Sequence, residues 1–199
     1  MSETMKAMAV RKYGKQPVEM IDLPVPEPGP EEVLVRVKAA SVNPVDFKTR
    51  DGDLKAVVKH KFPLVLGNDL AGVVEKVGKD VRNFKVGDKV YGRPGKNNMG
   101  TFAQYFAINQ YDIALMPKNL DFVEAASIPL VGLTSYQAFH EIMHLKTGDK
   151  VLVEAGSGGI GTFAIQLGRV MGLHVATTVS EKGEALVQSL GADEIINYK

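Results

Sequence analysis

The sequence contains the segment Val151-Leu152-Val153-Glu154-Ala155-Gly156-Ser157-Gly158-Gly159-Ile160-Gly161, in which an apolar strand leads directly into the pattern G-x-G-x-x-G. The first glycine of such a turn permits a tight bend, the second lets backbone approach a phosphate, and the third lets helix and strand pack closely. The N–H groups at the following helix start can bind an anion. The segment therefore predicts a pyrophosphate site of a dinucleotide. Its predicted binding residues are Gly156, Ser157, Gly158, Gly159, Ile160 and Gly161.

The residues that follow support this interpretation. Apolar residues recur at helical spacing from Ile160 to Met171, Gly172 ends the helix, and residues 174–179 have the β-branched composition of a strand. A second helix ends before Gly191, and a third strand is predicted around residues 195–196. Crossovers of this length imply parallel strands. The alternative is a glycine-rich turn that binds no ligand.

Composition excludes several classes of function. The 199 residues carry a formal net charge of +1, which gives no electrostatic footprint for nucleic acid. They contain no cysteine, hence neither a disulfide framework nor a thiolate metal site. The charged N-terminus lacks an apolar signal core, and no apolar run is long enough to span a bilayer. We therefore expect a cytoplasmic protein without nucleic-acid or membrane partners.

The first half of the chain has a different sequence pattern. Short β-rich runs alternate with Gly, Pro and Asp turns, and no helical period is evident before about residue 121. The predicted strands cover residues 8–13, 18–23, 33–40, 71–77, 89–91, 102–108 and 113–116. Asp121 and Glu124 have capping-box spacing, which predicts a helical segment from Phe122 up to Lys146. The predicted domains are 1–121, all-β, and 122–199, α/β.

Five blocks in this order resemble the medium-chain dehydrogenase/reductase superfamily, specifically its zinc-free quinone oxidoreductase and alkenal reductase branch. The blocks are residues 40–46 (ASVNPVD), 66–74 (LGNDLAGVV), 86–90 (VGDKV), 132–136 (GLTSY) and the glycine pattern. The resemblance implies a GroES-like β-barrel domain followed by a Rossmann domain, which is a doubly wound parallel sheet. Because that sheet normally has six strands and this chain supplies about three, we expect an incomplete Rossmann domain and a fragment of a longer reductase.

The resemblance also indicates which metal chemistry to expect. The zinc ligands of the zinc-dependent alcohol dehydrogenases would fall at Asn43, Asn68 and near Leu130. Amide and aliphatic side chains cannot form the Cys/His site that polarises an alcohol oxygen. The four cysteines of a structural zinc lobe are also absent. No metal site is therefore predicted, and these residues argue against a zinc-dependent alcohol dehydrogenase.

Without a metal, hydride transfer needs an electrophilic small-molecule acceptor, such as a quinone or an α,β-unsaturated carbonyl. By the resemblance, Asn43 is the candidate polar catalytic residue beside nicotinamide and acceptor, although it can instead hold the turn before Pro44. Tyrosines common in relatives are replaced here by Lys48 and Leu54. Lys48 is a second candidate, provided that burial lowers its pKa; an exposed, ordinary lysine is the alternative. Thr134 is either a contact of the nicotinamide ribose or a helix cap.

The residues after the second strand predict which cofactor is bound. An acidic residue about 20 positions beyond the glycines accepts from the ribose hydroxyls in NAD-selective domains. Ser180 occupies that place, and Lys182 lies just beyond, so a 2′-phosphate can be bound there. The sequence predicts NADPH over NADH, although Glu181 can fold toward the ribose. Tyr198 resembles a residue that lies along the adenosine; a packing tyrosine is the alternative.

Two further features leave alternatives open. The segment from His140 to His144 matches H-E-x-x-H, a zinc-binding pattern on helices, but no third ligand stands out, and we interpret the match as fortuitous. A truncated chain can also be a catalytically silent nucleotide-binding or structural module that self-associates, for example as a homodimer, to cover an open sheet edge.

Overall fold

The computed structural model describes residues 3–95 and 98–199. The chain divides into two compact units between Pro129 and Leu130. The first unit is mainly antiparallel sheet, and the second is a parallel sheet with helices. The predicted fold class, an all-β part followed by an α/β part, is confirmed. The domain boundary near residue 121 stays a prediction.

The β unit contains two antiparallel sheets. Its strands are β1 Thr4–Val10, β2 Glu19–Pro24, β3 Glu32–Ala39, β4 Leu64–Val65, β5 Leu70–Val77, β6 Lys89–Gly92, β7 Tyr105–Asn109 and β8 Ile113–Leu115. The strand orders are β2-β1-β4 and β7-β3-β5-β6-β8 within the described residues. The larger sheet packs a core of buried aliphatic residues: Val33, Val35, Leu70, Val74, Val90 and Ile108.

A helix, α1, interrupts the β unit at Pro44–Asp51. This corrects the expectation that no helix precedes residue 121. Its buried residues are Asp46 and Thr49, which are polar. The helical spacing of apolar residues, from which most helices are predicted, is therefore missing. The ends of α1 carry the signal instead, because Pro44 is its first residue and Gly52 ends it in the left-handed conformation.

The segment predicted to be helical from Phe122 to Lys146 is divided into three pieces. They are α2 Phe122–Ala126, α3 Pro129–Tyr136 and a π-helical turn at Gln137–Ile142. The predicted capping box is present, with Glu124 N donating to Asp121 Oδ1 over 2.8 Å and Asp121 N donating to Glu124 Oε2 over 2.9 Å. The helix does not continue into α3 because Pro129 cannot donate a helical hydrogen bond.

The α/β unit has the predicted order of strand, helix, strand, helix and strand. Its elements are β9 Lys150–Val153, α4 Gly159–Val170, β10 His174–Val179, α5 Glu184–Leu190 and β11 Glu194–Asn197. The strands are parallel in the order β11-β10-β9, with Val175 opposite Val151 and Thr177 opposite Ile195. The fully buried Ile165 of α4 belongs to the cluster that covers this sheet. Within the described residues, no helix is long and apolar enough to cross a membrane.

Candidate functional sites in the two units

The glycine turn connects the carboxyl end of β9 to α4 and is hydrogen-bonded to the carboxyl end of β10. Gly156 N donates to Thr178 O over 2.9 Å, and Ala155 N donates to Thr178 Oγ1 over 3.0 Å. Ala155 adopts a left-handed conformation with φ 54°. Because parallel strands end at the same edge, the turn lies where ligands bind in open α/β sheets.

The glycines of the turn meet different surroundings. A Cβ atom on Gly161 would lie 2.6 Å from Gly156 Cα, and one on Gly156 would collide with the Thr177 side chain. Both positions are therefore closed by the packing of strand and helix. A Cβ atom on Gly158 would meet only Ala155 O, at 3.2 Å. This single contact is tight and involves backbone, but no other atom lies within 4 Å of that Cβ, so there is open space on its other sides for a phosphate close to the backbone.

Helix α4 begins at Gly159, directly after this open position. Its N-cap residue, Gly158, provides no side-chain hydrogen bond to the first turn. The N–H groups of a first helical turn have no partner inside the helix and carry a partial positive charge. The glycine turn and the start of α4 therefore fit the pyrophosphate of a dinucleotide.

The other predicted nucleotide-binding residues surround this edge in the α/β unit. Ser180 follows β10 and begins a 3-10 turn at Glu181–Gly183, while the Lys182 side chain is exposed. A Cβ atom on Gly183 would lie 2.9 Å from Ser157 Cβ, so this turn packs directly on the glycine turn. Tyr198 follows β11 and is exposed.

Thr134 lies inside α3 rather than at its start. Its Oγ1 donates to Leu130 O over 2.7 Å, which is a bond within the helix and not an N-terminal cap. The preceding turn of α3 lies near the start of α4, because a Cβ atom on Gly159 would lie 3.6 Å from Val131 Cγ1. Thr134 is exposed.

A polar network surrounds the predicted catalytic Asn43 in the β unit. Asn43 Nδ2 donates to Asp69 Oδ2 over 2.7 Å and to Ser41 Oγ over 3.1 Å. Ser41 Oγ donates to the same Asp69 oxygen over 2.6 Å. Asn43 N donates to Asp46 Oδ2 over 2.7 Å, and Asn68 Nδ2 donates to Asp46 Oδ1 over 2.7 Å. These five residues form a continuous chain of hydrogen bonds.

The carboxylates of the network determine which end of each amide group faces them. An ionised carboxylate only accepts hydrogen bonds, so the nitrogens of Asn43 and Asn68 face Asp69 and Asp46. Both Asn43 amide hydrogens are then used inside the protein. Asn68 Nδ2 uses one hydrogen for Asp46, and among the described residues its second hydrogen has no partner. The Asn68 amide can therefore donate to a ligand.

Burial raises the pKa of the Asp46 carboxyl above its ordinary value of 3.8. Hydrogen bonds from the Asn43 backbone, the Asn68 side chain and the Gly67 backbone oppose this effect, as does the positive charge of Arg93. Gly67 supports the network by its conformation, with φ 102°, and a Cβ atom there would collide with Thr101 and Phe102. Glycine at position 67 therefore lets the neighbouring Asn68 and Asp69 reach the network.

The donor set at the positions of the zinc ligands does not fit zinc. The amide nitrogens of Asn43 and Asn68 are bound to carboxylates, and Leu130 has no donor atom. Within residues 3–95 and 98–199, no group of three or more His, Cys, Asp or Glu side chains could hold a metal. The H-E-x-x-H match begins on the π-helical turn, which ends at Ile142, and His144 lies beyond it. His144 has φ 53°, and its Nδ1 lies 3.1 Å from His140 O. The match therefore lacks the regular helical turn on which this motif depends.

A cavity of about 180 Å³ lies beside the network. Asn68 belongs to both, and Leu54 contributes to the apolar wall. Arg93 and His60 are the ionisable residues among its lining, and burial lowers the pKa of His60. Lys48 does not line this cavity and lies on the exposed face of α1, so the burial required for a role as an acid is not met there.

Sequence reasoning missed Asp46, Asp69 and Arg93. Asp46 carried a usable signal, because Asn43 and Asp46 have the spacing of a helix N-cap and its third residue. Asp69 and Arg93 carried none, since their neighbours in the network and cavity are distant in sequence.

Comparisons with known proteins agree across the whole chain. Residues 29–118 match the alcohol dehydrogenase GroES-like domain. The mitochondrial NAD(P)H oxidoreductase RTN4IP1 of Homo sapiens is 37% identical over 218 residues, covering 100% of this chain and 55% of its own length. The 2-methylene-furan-3-one reductase of Solanum lycopersicum is 40% identical, covering 98% of this chain and 52% of its own. This chain thus spans about half the length of these curated relatives.

Solved structures are also similar to nearly the whole chain. The quinone oxidoreductase from Coxiella burnetii superposes with a TM-score of 0.87 at 38% identity. The superposition covers 98% of this chain and 63% of that protein.

Proposed function

Because this chain belongs to the medium-chain dehydrogenase/reductase superfamily, we propose that it performs NADPH-dependent, zinc-independent reduction of quinones or α,β-unsaturated carbonyls. The observation that carries the proposal is the open position at Gly158 beside the uncapped start of α4. The names of the relatives support the substrate class, since they include a quinone oxidoreductase and a 2-methylene-furan-3-one reductase.

The α/β unit is proposed to bind the nucleotide. The first N–H groups of α4 receive the pyrophosphate, and Ser180 with Lys182 receives the 2′-phosphate of the ribose. Tyr198 lies along the adenosine, and Thr134 contacts the nicotinamide ribose. When bound, NADPH supplies the hydride.

The β unit is proposed to bind the acceptor. The acceptor gains a hydride at its electrophilic carbon and a proton from solvent on the resulting enolate, so no metal is needed. Asn43 is the residue proposed to lie beside the reacting groups and to orient the acceptor there. Lys48 remains the second candidate, with access to solvent rather than to a buried site.

The first test follows NADPH absorbance when the purified chain is mixed with a quinone and, separately, with a conjugated enal. Consumption that requires both protein and acceptor is the expected result. NADPH binding without consumption would instead favour a nucleotide-binding module without catalytic activity. Titrations with NADPH and NADH test the cofactor, and equal or tighter NADH binding would refute the assignment of Ser180 and Lys182.

Zinc independence requires its own measurement. Metal analysis of the active protein is expected to find no stoichiometric zinc, and chelation is expected to leave the rate unchanged. Stoichiometric zinc that disappears in His144→Ala would overturn this part of the proposal. A cytoplasmic location and a homodimer stay predictions.

A further inference from the structure

The cavity beside the polar network contains an arginine, Arg93, that forms no ion pair within residues 3–95 and 98–199. Its walls are mostly aliphatic, from Val45, Leu54, Val57, Val58 and Met99. Arg93 lines this space, and its Nε is buried without a hydrogen-bond partner in the described part of the chain.

The Asp46 carboxylate does not form an ion pair with Arg93 by direct contact. Asp46 attracts it electrostatically, but both Asp46 oxygens accept hydrogen bonds from Asn43 N and Asn68 Nδ2. Burial also favours the neutral form of the Asp46 carboxyl. A buried donor without a partner is costly, and a guanidinium in an apolar cavity pairs strongly with a carboxylate through two parallel hydrogen bonds.

The second hydrogen of the Asn68 amide provides a neutral donor in the same lining. A conjugated acceptor that carries a carboxylate has two oxygen-bearing groups. Arg93 provides a charged donor for the carboxylate, and Asn68 provides a neutral donor for the carbonyl oxygen. The volume of about 180 Å³ is close to the roughly 150 Å³ of an engineered cavity that holds benzene. The cavity therefore suits one small ring or a short chain.

We propose that Arg93 makes this cavity a site for a small carboxylate, and that the acceptor is a carboxylate-bearing conjugated carbonyl compound with its anionic group on Arg93. The substrate part of this inference rests on the proposed function. The anion site itself does not, because it requires only residues of the β unit.

Binding is tested without any nucleotide. Benzoate and benzamide have nearly the same shape, but only benzoate is charged at pH 7. Calorimetric or NMR titration of the 199-residue chain is expected to show benzoate binding at least tenfold more tightly than benzamide. In Arg93→Gln this preference is expected to disappear, and in Arg93→Lys to fall several-fold because a lysine lacks the planar fork.

Arg82→Gln is the matched control, because the Arg82 side chain is 70% exposed and lies outside the cavity lining. It is expected to retain the preference for benzoate. Equal binding of the two probes by the unsubstituted chain, or a preference that survives in folded Arg93→Gln, would overturn the anion site. If Arg93→Gln does not fold, Arg93→Lys decides, and an unchanged preference there would overturn the site as well.

Turnover then tests the substrate class. NADPH oxidation with 4-oxopent-2-enoate is expected to have a kcat/KM at least tenfold above that with its methyl ester, and Arg93→Gln is expected to abolish the ratio. Benzoate selectivity without NADPH oxidation by either compound would refute the proposed function and leave the anion site intact. Equal turnover of acid and ester would refute the substrate assignment alone.

Discussion

Two helices of this protein begin in opposite ways. Helix α1 begins at a capped residue, since Asn43 N donates to Asp46 Oδ2 over 2.7 Å and the Asn43 side chain is tied to Asp69. Helix α4 begins at Gly159, and its N-cap residue Gly158 has no side chain to act as a cap. The polar residues at the start of α1 bind one another, whereas the first N–H groups of α4 are the ones proposed to bind the pyrophosphate. The difference teaches that a polar residue before a helix can serve the hydrogen bonds of the protein itself, so it does not by itself indicate a ligand site.

The largest expected effect concerns the support of the network around α1. Gly67→Ala adds a strained left-handed residue and a collision with Thr101 and Phe102, so it should lower the free energy of unfolding by about 3–4 kcal/mol. Gly87→Ala is the matched control, because Gly87 has φ 93° and no atom within 4 Å of the added Cβ. It should cost only about 1–2 kcal/mol. Urea denaturation measures both, and equal losses would contradict the collision.

The start of α4 provides a second pair of variants. Gly161→Ala places a Cβ against the backbone of Ala155 and Gly156, and should lower the free energy of unfolding by about 3 kcal/mol. Gly158→Ala should change it by less than about 1 kcal/mol. It should nevertheless weaken NADPH binding, because the new methyl group occupies the room for phosphate. Tight NADPH binding by Gly158→Ala would argue against that use of the space.

Asp46→Asn tests the capped start. An asparagine has one acceptor oxygen, so either Asn43 N or Asn68 Nδ2 would face an NH₂ group, at a cost of about 2 kcal/mol. Asp22→Asn is the control, since its ion pair with Lys6 is exposed and should contribute less than about 1 kcal/mol.

The same variant has a defined pH dependence. Because the pKa of Asp46 is raised in the folded protein, the folded state holds this proton more tightly than the unfolded state. The stability contributed by Asp46 is therefore greatest below its unfolded pKa of 3.8 and falls as the pH rises through the folded pKa. The difference in the free energy of unfolding between the unsubstituted chain and Asp46→Asn should therefore narrow as the pH rises from the unfolded pKa of Asp46 through its folded pKa. A difference that widens with pH would mean that the folded pKa is lowered.

The smallest effect concerns cofactor choice. Ser180→Asp places a carboxylate where a 2′-phosphate is proposed to bind, and should weaken NADPH binding relative to NADH about tenfold, which is about 1.4 kcal/mol. Ser189→Asp is the control because Ser189 lies exposed on α5, where its Oγ donates to Leu186 O. Equal shifts in both variants would indicate a general charge effect.

Sequence reasoning performed differently at the two helix starts. The glycine turn, the strands beside it and the family were predicted correctly because their signals are contiguous and periodic. The network around α1 was found only at Asn43. Its partners lie 22 and 26 positions apart, in the pairs Asp46 with Asn68 and Asn43 with Asp69. Folding brings these side chains together, and no local pattern states which residues will meet.

The prediction also failed where the buried residues of a helix are polar. Helix α1 buries Asp46 and Thr49, so its period is invisible to a search for apolar spacing. Arg93 was missed for a related reason, since an arginine after a strand has no distinguishing context until the cavity around it is formed.

The left-handed Ala155 leads to an expectation about mutational tolerance. Its φ of 54° costs an alanine about 1–2 kcal/mol, whereas glycine and asparagine adopt it more readily. Gly161 lies six residues later in the first turn of α4 and has no such freedom, because any Cβ there meets backbone atoms. A library that randomises both positions under selection for folding should therefore return Ala, Gly and Asn at position 155, but Gly alone at position 161. One turn would thus combine a position that tolerates a few residue types with one that tolerates glycine alone.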